Sequence, residues 1–448
     1  MLATAPALVL VALIVAVGAR VHLVSGESPF AGCSTRPAFT NAEAEPSLAV
    51  DPRNASRLVA AYQQDRYRRG GGARGIVAAV SRDGGRRWSR TAIPVSRCAG
   101  PSARPVPFAS DPWVSVGPDG RVYVSTVSDV VSVVTSADWG ASWSRPAVLR
   151  GGGLTDKPIV TADPTRAGTA YVVWSEYRRT NPPGTESDEL LSVTHDGGRT
   201  WSAPAPVLRH ATRAGPADGQ ILVDVRTRRL YLLTAWVRDG FVTPNRPAEM
   251  LVQHSDDGGV RWSKADQFAL GYTAPQRRGR IIRSSPQVPS FAIDRSGVLY
   301  AVWQDSRFSH GAYDEVLLTS SRDGGARWSA PRRISAPTSG GSLIPTVATQ
   351  GSGHVAVLYL QVDRGSALDA RWRLASSRDG AGQFADRAVS RTFALTDAPA
   401  LTSSPLVPGG YYVGDYMGVT GLPQGTFGAL FVSATGWGDD ETDVFFSR

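Results

Sequence analysis

Lysine is nearly missing from this sequence. Only Lys157 and Lys264 occur, so 46 of the 48 basic residues are arginine. They are scattered along 448 residues without a dense run, and the formal net charge of +9 has no polybasic stretch behind it. A nucleic-acid partner is therefore not expected. The arginine bias, with abundant Ala and Gly, matches the codon usage of a GC-rich genome. Cysteine is equally scarce. Cys33 and Cys98 are the pair, which in an exported chain favours one disulfide over a metal site, with two free thiols as the alternative. Sustained helical periodicity is also missing, which leaves an all-β class.

Charge is absent from Leu2 to Ala19, an apolar stretch of 18 residues long enough to enter a bilayer. Residues 1–26 read as a signal peptide or a membrane anchor. Val17-Gly18-Ala19 supplies a small-residue cleavage site and favours the signal peptide, although no basic residues precede the run. Ala31-Gly32-Cys33 is a poor lipoprotein box because Phe30 stands before it. The expectation is a secreted or extracytoplasmic protein, the alternative being an N-terminally membrane-anchored one. Membrane contact is expected only through the uncleaved segment.

What the chain has in abundance is a repeat. Ser81-Arg-Asp-Gly-Gly-Arg-Arg-Trp-Ser89 returns at positions 136, 194, 255 and 321, and a worn copy, Ser377-Arg-Asp-Gly-Ala-Gly-Gln-Phe384, follows. A self-similar unit 55 to 66 residues long signals a repeat architecture. The unit reads as a tight turn. The third-position carboxylates (Asp83, Asp138, Asp196, Asp257, Asp323 and Asp379) accept bonds from the amides that follow. Gly supplies positive φ, and Trp carries apolar area back toward a neighbouring unit. These roles are structural.

The motif S-x-D-x-G-x-x-W resembles the Asp-box of sialidases and the wider group of Asp-box β-propellers, over nearly everything after residue 45. That resemblance implies a propeller and does not by itself imply an activity. Between the boxes, pairs such as Pro46-Ser-Leu-Ala-Val-Asp-Pro52 with Arg57-Leu-Val-Ala-Ala-Tyr62 give two more strands per unit, so each unit is a four-stranded blade. First strands start near 46, 112, 157, 219, 289, 345 and 415. The count favours seven blades over the six of sialidases, with the propeller spanning 45–448. The seventh unit ends at its third strand, so the N-terminal segment 27–44, through residues around Arg36 to Asn41, is expected to supply the closing strand.

The blade pattern places function on the face opposite the Asp-boxes, where first strands begin and second strands end. Glu45, Asp111, Asp156, Asp218 and Asp415 stand at the beginnings, and Arg66, Arg178, Arg238, Arg307 and Arg364 at the ends. The functional reading is a group of carboxylates inside a ring of guanidinium groups. Asp111 and Asp415 are candidate catalytic acids, and Tyr416 is a candidate nucleophile, since sialidases use a tyrosine. Arg66, Asp156, Arg178, Asp218, Arg238, Arg307 and Arg364 would bind substrate, because arginine forks grip carboxylates. The bland reading is that these charges pair blade to blade and cap strand ends, which their repetition favours. An acidic ring would also suit Ca²⁺, but no dense loop of ligands occurs, and no metal or cofactor is expected. The sequence departs from the sialidase pattern in lacking Arg-Ile-Pro; Asn41-Ala-Glu-Ala-Glu-Pro-Ser-Leu48 stands in that region. The expected ligand is a glycan or other anionic small molecule, bound by a monomer, either by a glycoside hydrolase or by a non-catalytic propeller that binds a glycan, peptide or protein.

Overall fold

A computed structural model describes residues 20–100, 103–150, 152–180, 184–240, 242, 245–274, 282–286, 288–338, 340–365, 368–402, 409–437 and 440–448. The apolar run Leu2–Ala19, with its cleavage site, lies outside these residues. Seven antiparallel sheets follow one another around a central channel. Blade 1 is Glu43–Asp51, Asn54–Arg66, Ala73–Ser81 and Ser89–Ile93, in that spatial order. The next five blades begin at Ser110–Val116, Leu154–Ala162, Ala214–Val223, Ser290–Ile293 and Gly341–Gln350. Blade 7 is Gly418–Leu422, Thr426–Trp437 and Asp440–Ser447, completed by Val21–Leu23. Helical turns among the described residues are three short 3-10 segments. The all-β class and the seven-bladed count are as the sequence implies.

Each Asp-box turn joins the third strand of its blade to the fourth. In the first, Ser81 Oγ donates to Asp83 Oδ1 (2.9 Å) and accepts from the Gly85 amide (2.9 Å). The same carboxylate accepts from the Arg86 and Arg87 amides (both 3.0 Å). These bonds favour the charged carboxylate, so Asp138 in the second copy is held down to about 2 by the Ser142 hydroxyl and amide and by Ser136. The Trp side chains reach back to the preceding blade. Trp88 meets Phe446 of blade 7 edge-on (5.6 Å), Trp143 Nε1 donates to Thr91 Oγ1 of blade 1 (3.1 Å), and Trp328 stacks on Phe268 of blade 4 (4.0 Å). The worn sixth copy keeps the turn, with Ala381 at φ 70° in the glycine position.

Ring closure corrects one expectation. The closing strand is Val21–Leu23, paired with Phe445–Ser447, and not residues around Arg36 to Asn41. Those later residues run across the exit of the second strand of blade 1, where the Phe39 amide donates to Arg66 O (2.8 Å) and the Arg68 amide to Pro37 O (3.1 Å). The physical reason is distance. A chain leaving the outer edge of blade 7 must cross to the inner strand of blade 1 at Glu43, and residues 24–42 make that crossing. Val24 N bonds Val444 O (2.9 Å), and Ser28 Oγ bonds Asp65 Oδ2 (2.8 Å) along the way. The Cys33–Cys98 disulfide (Cα–Cα 5.5 Å) pins the crossing to blade 1, as the sequence suggests.

Two outcomes follow for thermal melts. A chain beginning at residue 27 lacks Val21–Leu23, exposes the edge of Asp440–Ser447, and is expected to melt lower and self-associate, while one beginning at residue 20 behaves as a closed ring. Cys98→Ser is expected to cost about 2–5 kcal/mol by releasing the crossing segment. Equal melting of the 20 and 27 starts would contradict this closure.

Candidate functional site

Five first strands share one irregularity just before their regular pairing. Register slips between Ala44 and Ser47, Ser110 and Trp113, Asp156 and Ile159, Ala217 and Gln220, and Leu343 and Thr346. Within each slip one residue with a side chain takes positive φ: Glu45 (53°), Asp111 (51°), Lys157 (49°), Asp218 (61°) and Ile344 (54°). Such backbones cost on the order of 1–3 kcal/mol each and persist where the surrounding structure enforces them. A bulge re-aims the side chain it carries. Here Glu45, Asp111, Lys157 and Asp218 all come to line one cavity of about 290 Å³.

Asp156, Asp415, Arg66, Arg283, Tyr177 and Tyr412 complete its charged and aromatic wall. Burial raises most of the acids. Asp111 is pushed up to about 6 by burial and then by the charge of Asp156. Asp156 likewise reaches about 6, and Asp218 about 7, burial leading in each case. Glu45 rises well above the ordinary carboxylate value through burial and the neighbouring Asp111 and Asp415. Asp415 is the exception. Burial pushes it up, but Arg283 (3.0 Å), Lys157 and the Ser285 hydroxyl (2.7 Å) together hold it below the usual value. Asp415 is therefore shifted in the opposite direction from the other four cavity acids, an arrangement that separates an acid from a stabilising carboxylate.

Of the two cavity tyrosines, Tyr177 and Tyr412, the second is hydrogen-bonded to the acids. Its hydroxyl donates to Glu45 Oε1 and lies 3.4 Å from Asp415 Oδ2. The guanidinium groups of Arg283 and Arg66 stand over its ring at 4.2 and 5.1 Å. Burial, then Asp415 and Glu45, hold its phenol well above 10, so it keeps its proton until a base removes it. Glu45 also accepts from Gln63 Nε2, which fixes the carboxyl. Arg66 is fixed in turn by Gly70 O (3.2 Å) and Gly72 O. By contrast Lys157 Nζ and Arg283 Nε and Nη1 are buried with no hydrogen-bond partner among the described residues. Lys157 Nζ instead faces the Tyr416 ring (3.7 Å to the centroid).

The sequence-derived site divides. Asp111, Asp156, Asp218, Asp415 and Arg66 come together at the cavity. Tyr416 does not line it. Its hydroxyl donates to Pro112 O (2.8 Å), and its ring lies against Trp113 (5.2 Å) with Lys157 Nζ 3.7 Å from the centroid, making it a support for Lys157. The expected ring of guanidinium groups does not assemble. Arg178 pairs with Asp188 (2.5 Å) and Arg307 with Asp305 (2.9 Å). Arg364 lies by the Tyr313 ring (5.7 Å), and Arg238 is exposed at the end of its strand. Arg178 and Arg307 are held by carboxylates of their own blades, which keeps their guanidinium groups off the cavity wall. Glu45 is marked by its strand start, whereas Lys157, Arg283 and Tyr412 line the cavity without being marked by the strand pattern. One signal was present for Lys157, the single lysine in the repeated strand starts. Another was present for Arg283, which stands in the long connection between blades 4 and 5. Among the described residues no cluster of His, Cys, Asp and Glu is arranged to hold a metal ion.

No protein-family profile and no curated protein matches this sequence. Solved structures do. A protein of unknown function from Dyadobacter fermentans superposes with a TM-score of 0.51 at 13% identity, over 80% of this chain and 96% of that one. An α-L-arabinofuranosidase variant from Fusarium graminearum, in complex with an iminosugar inhibitor, gives 0.51 at 12% identity, over 76% and 95%. An α-L-arabinanase from Penicillium chrysogenum, complexed with arabinobiose, gives 0.50 at 12% identity, over 78% and 99%. At these identities the likeness is one of fold.

The raised acids make stability depend on pH in a stated direction. A carboxyl whose folded value lies above its unfolded value of about 4 stabilises the fold fully below that pH. The contribution is lost as pH rises through the folded values, about 6 for Asp111 and about 7 for Asp218. The melting temperature is therefore expected to fall between pH 5 and pH 8, and Asp218→Asn to flatten that fall. A melting temperature that rises over the same interval would show the acids to be ionised in the fold.

Proposed function

We propose that this protein is an exported, sialidase-like glycosidase that removes a terminal sugar from a glycan at the cavity. The observation that carries the reading is the Tyr412–Glu45 hydrogen bond inside a cavity where burial raises Asp111 to about 6 and Asp218 to about 7 while Asp415 is held low. A buried phenol is a poor nucleophile until its proton is taken, and a carboxylate with raised proton affinity beside it is a matched base. Tyr412 Oη attacks the anomeric carbon while Glu45 takes the phenol proton. Asp111, protonated, gives its proton to the departing glycosidic oxygen. Arg283 and Asp415 flank the ring and hold it at a fixed angle. In the second half water attacks the anomeric carbon and gives a proton to Asp111, while Glu45 returns its proton to the departing Tyr412 oxygen, which restores both groups.

The substrate class favoured is a neutral, hydroxyl-rich sugar. An acidic sugar would need the arginine ring, and Arg66 and Arg283, the two that reach the cavity, are committed to carbonyls or to Asp415 on part of their forks. Sugar hydroxyls suit the mixture of acids and hydroxyl groups along the wall. Leu154, 56% exposed and bordering the cavity, offers an apolar edge for a ring face. A bounded volume of about 290 Å³ accommodates a chain end better than a long run of polymer.

Chromogenic glycosides, arabinosides and sialosides included, supply the test. Tyr412→Phe, Glu45→Gln and Asp111→Asn are each expected to lower kcat about 10²- to 10⁴-fold while melting near the parent. Tyr416→Phe, which leaves the cavity wall intact, is expected to keep most of the activity. Binding of a glycan on an array without turnover of any substrate would replace the hydrolase with a binding module.

A further inference from the structure

The face opposite the cavity carries both the Asp-box turns and the turns between first and second strands. Their shared position is fixed by backbone bonds such as Gly84 N to Ser56 O (2.8 Å) and Gly197 N to Gly168 O (2.9 Å). Arginine dominates it. Arg82, Arg166, Arg228, Arg295, Arg378 and Arg448 place one exposed guanidinium on each of blades 1, 3, 4, 5, 6 and 7, and none of the six belongs to an ion pair among the described residues. The cavity on the other face gathers five acids with Arg66, Lys157 and Arg283, so it has no comparable surplus of positive charge. Apolar tips stand among these arginines. Val260 is 80% exposed in the fourth Asp-box, and Val225 is 41% exposed in the adjacent turn beside Arg226.

The chain also arrives on this face. Val21 pairs with Ser447, so Arg20 emerges next to Arg448, beside the first Asp-box. The 18 uncharged residues Leu2–Ala19 lead directly into that point. We propose that the Asp-box face is a docking surface for a bilayer rich in anionic lipid, which leaves the cavity pointing away from the membrane. Arginines spread over a flat ring of turns match a plane of headgroup phosphates, and each basic side chain near such a surface strengthens binding about fivefold. Val225 and Val260 distinguish a bilayer from a soluble polyanion, because apolar tips gain only where there is hydrocarbon to enter. The inference does not depend on the hydrolase reading.

Bilayer-depth quenching on the full chain tests it. A fluorophore is placed at Val260→Cys or, for the opposite face, at Leu154→Cys, and the protein is mixed with phosphatidylcholine vesicles carrying brominated chains, with or without phosphatidylglycerol. Quenching at 260 that requires phosphatidylglycerol, fades with added salt and falls about fivefold for each of Arg228→Gln and Arg295→Gln is the expected result, with 154 unquenched. The proposal is overturned if 260 is unquenched or if the chain fails to float with anionic vesicles. It is equally overturned if quenching ignores the lipid charge or is stronger at 154. Retention by DNA without quenching at 260 would assign the face to soluble polyanions instead.

Discussion

Closure of the ring is the constraint on which the rest of this structure depends, because a channel lined by seven first strands exists only while the seven sheets stay in register around it. The last blade owns three strands at the C-terminus and takes its fourth from Val21–Leu23. Around that junction the chain is tied repeatedly. Val24 and Ser25 bond Val444, Thr442 Oγ1 bonds Glu43 O of blade 1 (2.8 Å), and Cys33 is bridged to Cys98. Phe446 packs under the first Asp-box against Trp88, so the same strand closes both the hydrogen-bond ladder and the apolar seam. Blades 6, 7 and 1 share one core cluster that includes Trp372, Phe431 and Phe446, which spreads the closure over three sheets.

Given that ring, the bulges follow a common logic. Each first strand could have entered its blade smoothly, with side chains alternating between the two neighbouring seams. The left-handed residue breaks that alternation once, at the strand start, and sends one side chain to the end of the channel. Blades 1, 2 and 4 send an acid and blade 3 sends Lys157, while the corresponding Ile344 of blade 6 joins the apolar core. The result is a concentration of carboxyls that water would not tolerate in ionised form at this depth. It is accommodated by proton sharing, by Lys157 among the acids, and by Arg283 on Asp415. Strain in the backbone and crowding in the charges have the same origin.

The two faces of the propeller are built by different rules. The Asp-box face consists of short turns in which an exposed carboxylate is consumed by local amides, and the arginines between those positions are left facing solvent. The cavity face is built of the longer connections, and it is there that Arg283, Ser285 and Tyr412 reach across from outside the regular strands. Repetition therefore governs one side, and the departures from repetition govern the other.

The sequence by itself determined the class, the four-stranded unit, the seven-fold count and the disulfide, because each is written in local spacing: the Asp-box every 55 to 66 residues, alternating strands between the boxes, and an isolated cysteine pair. It also placed Asp111, Asp156, Asp218 and Asp415 at the right end of the right strands. What the tertiary structure decided is which charged groups meet. Tyr412 and Tyr416 are four residues apart and look alike in sequence, yet one lines the cavity and the other supports Lys157 from behind. Arg66 reaches the cavity while Arg178, Arg238, Arg307 and Arg364 at similar strand ends do not, since the partners that hold each guanidinium are set by tertiary contacts. Nor does local pattern show that residues 21–23 rather than 36–41 close the ring. That choice is set by the distance from the outer edge of blade 7 to the channel.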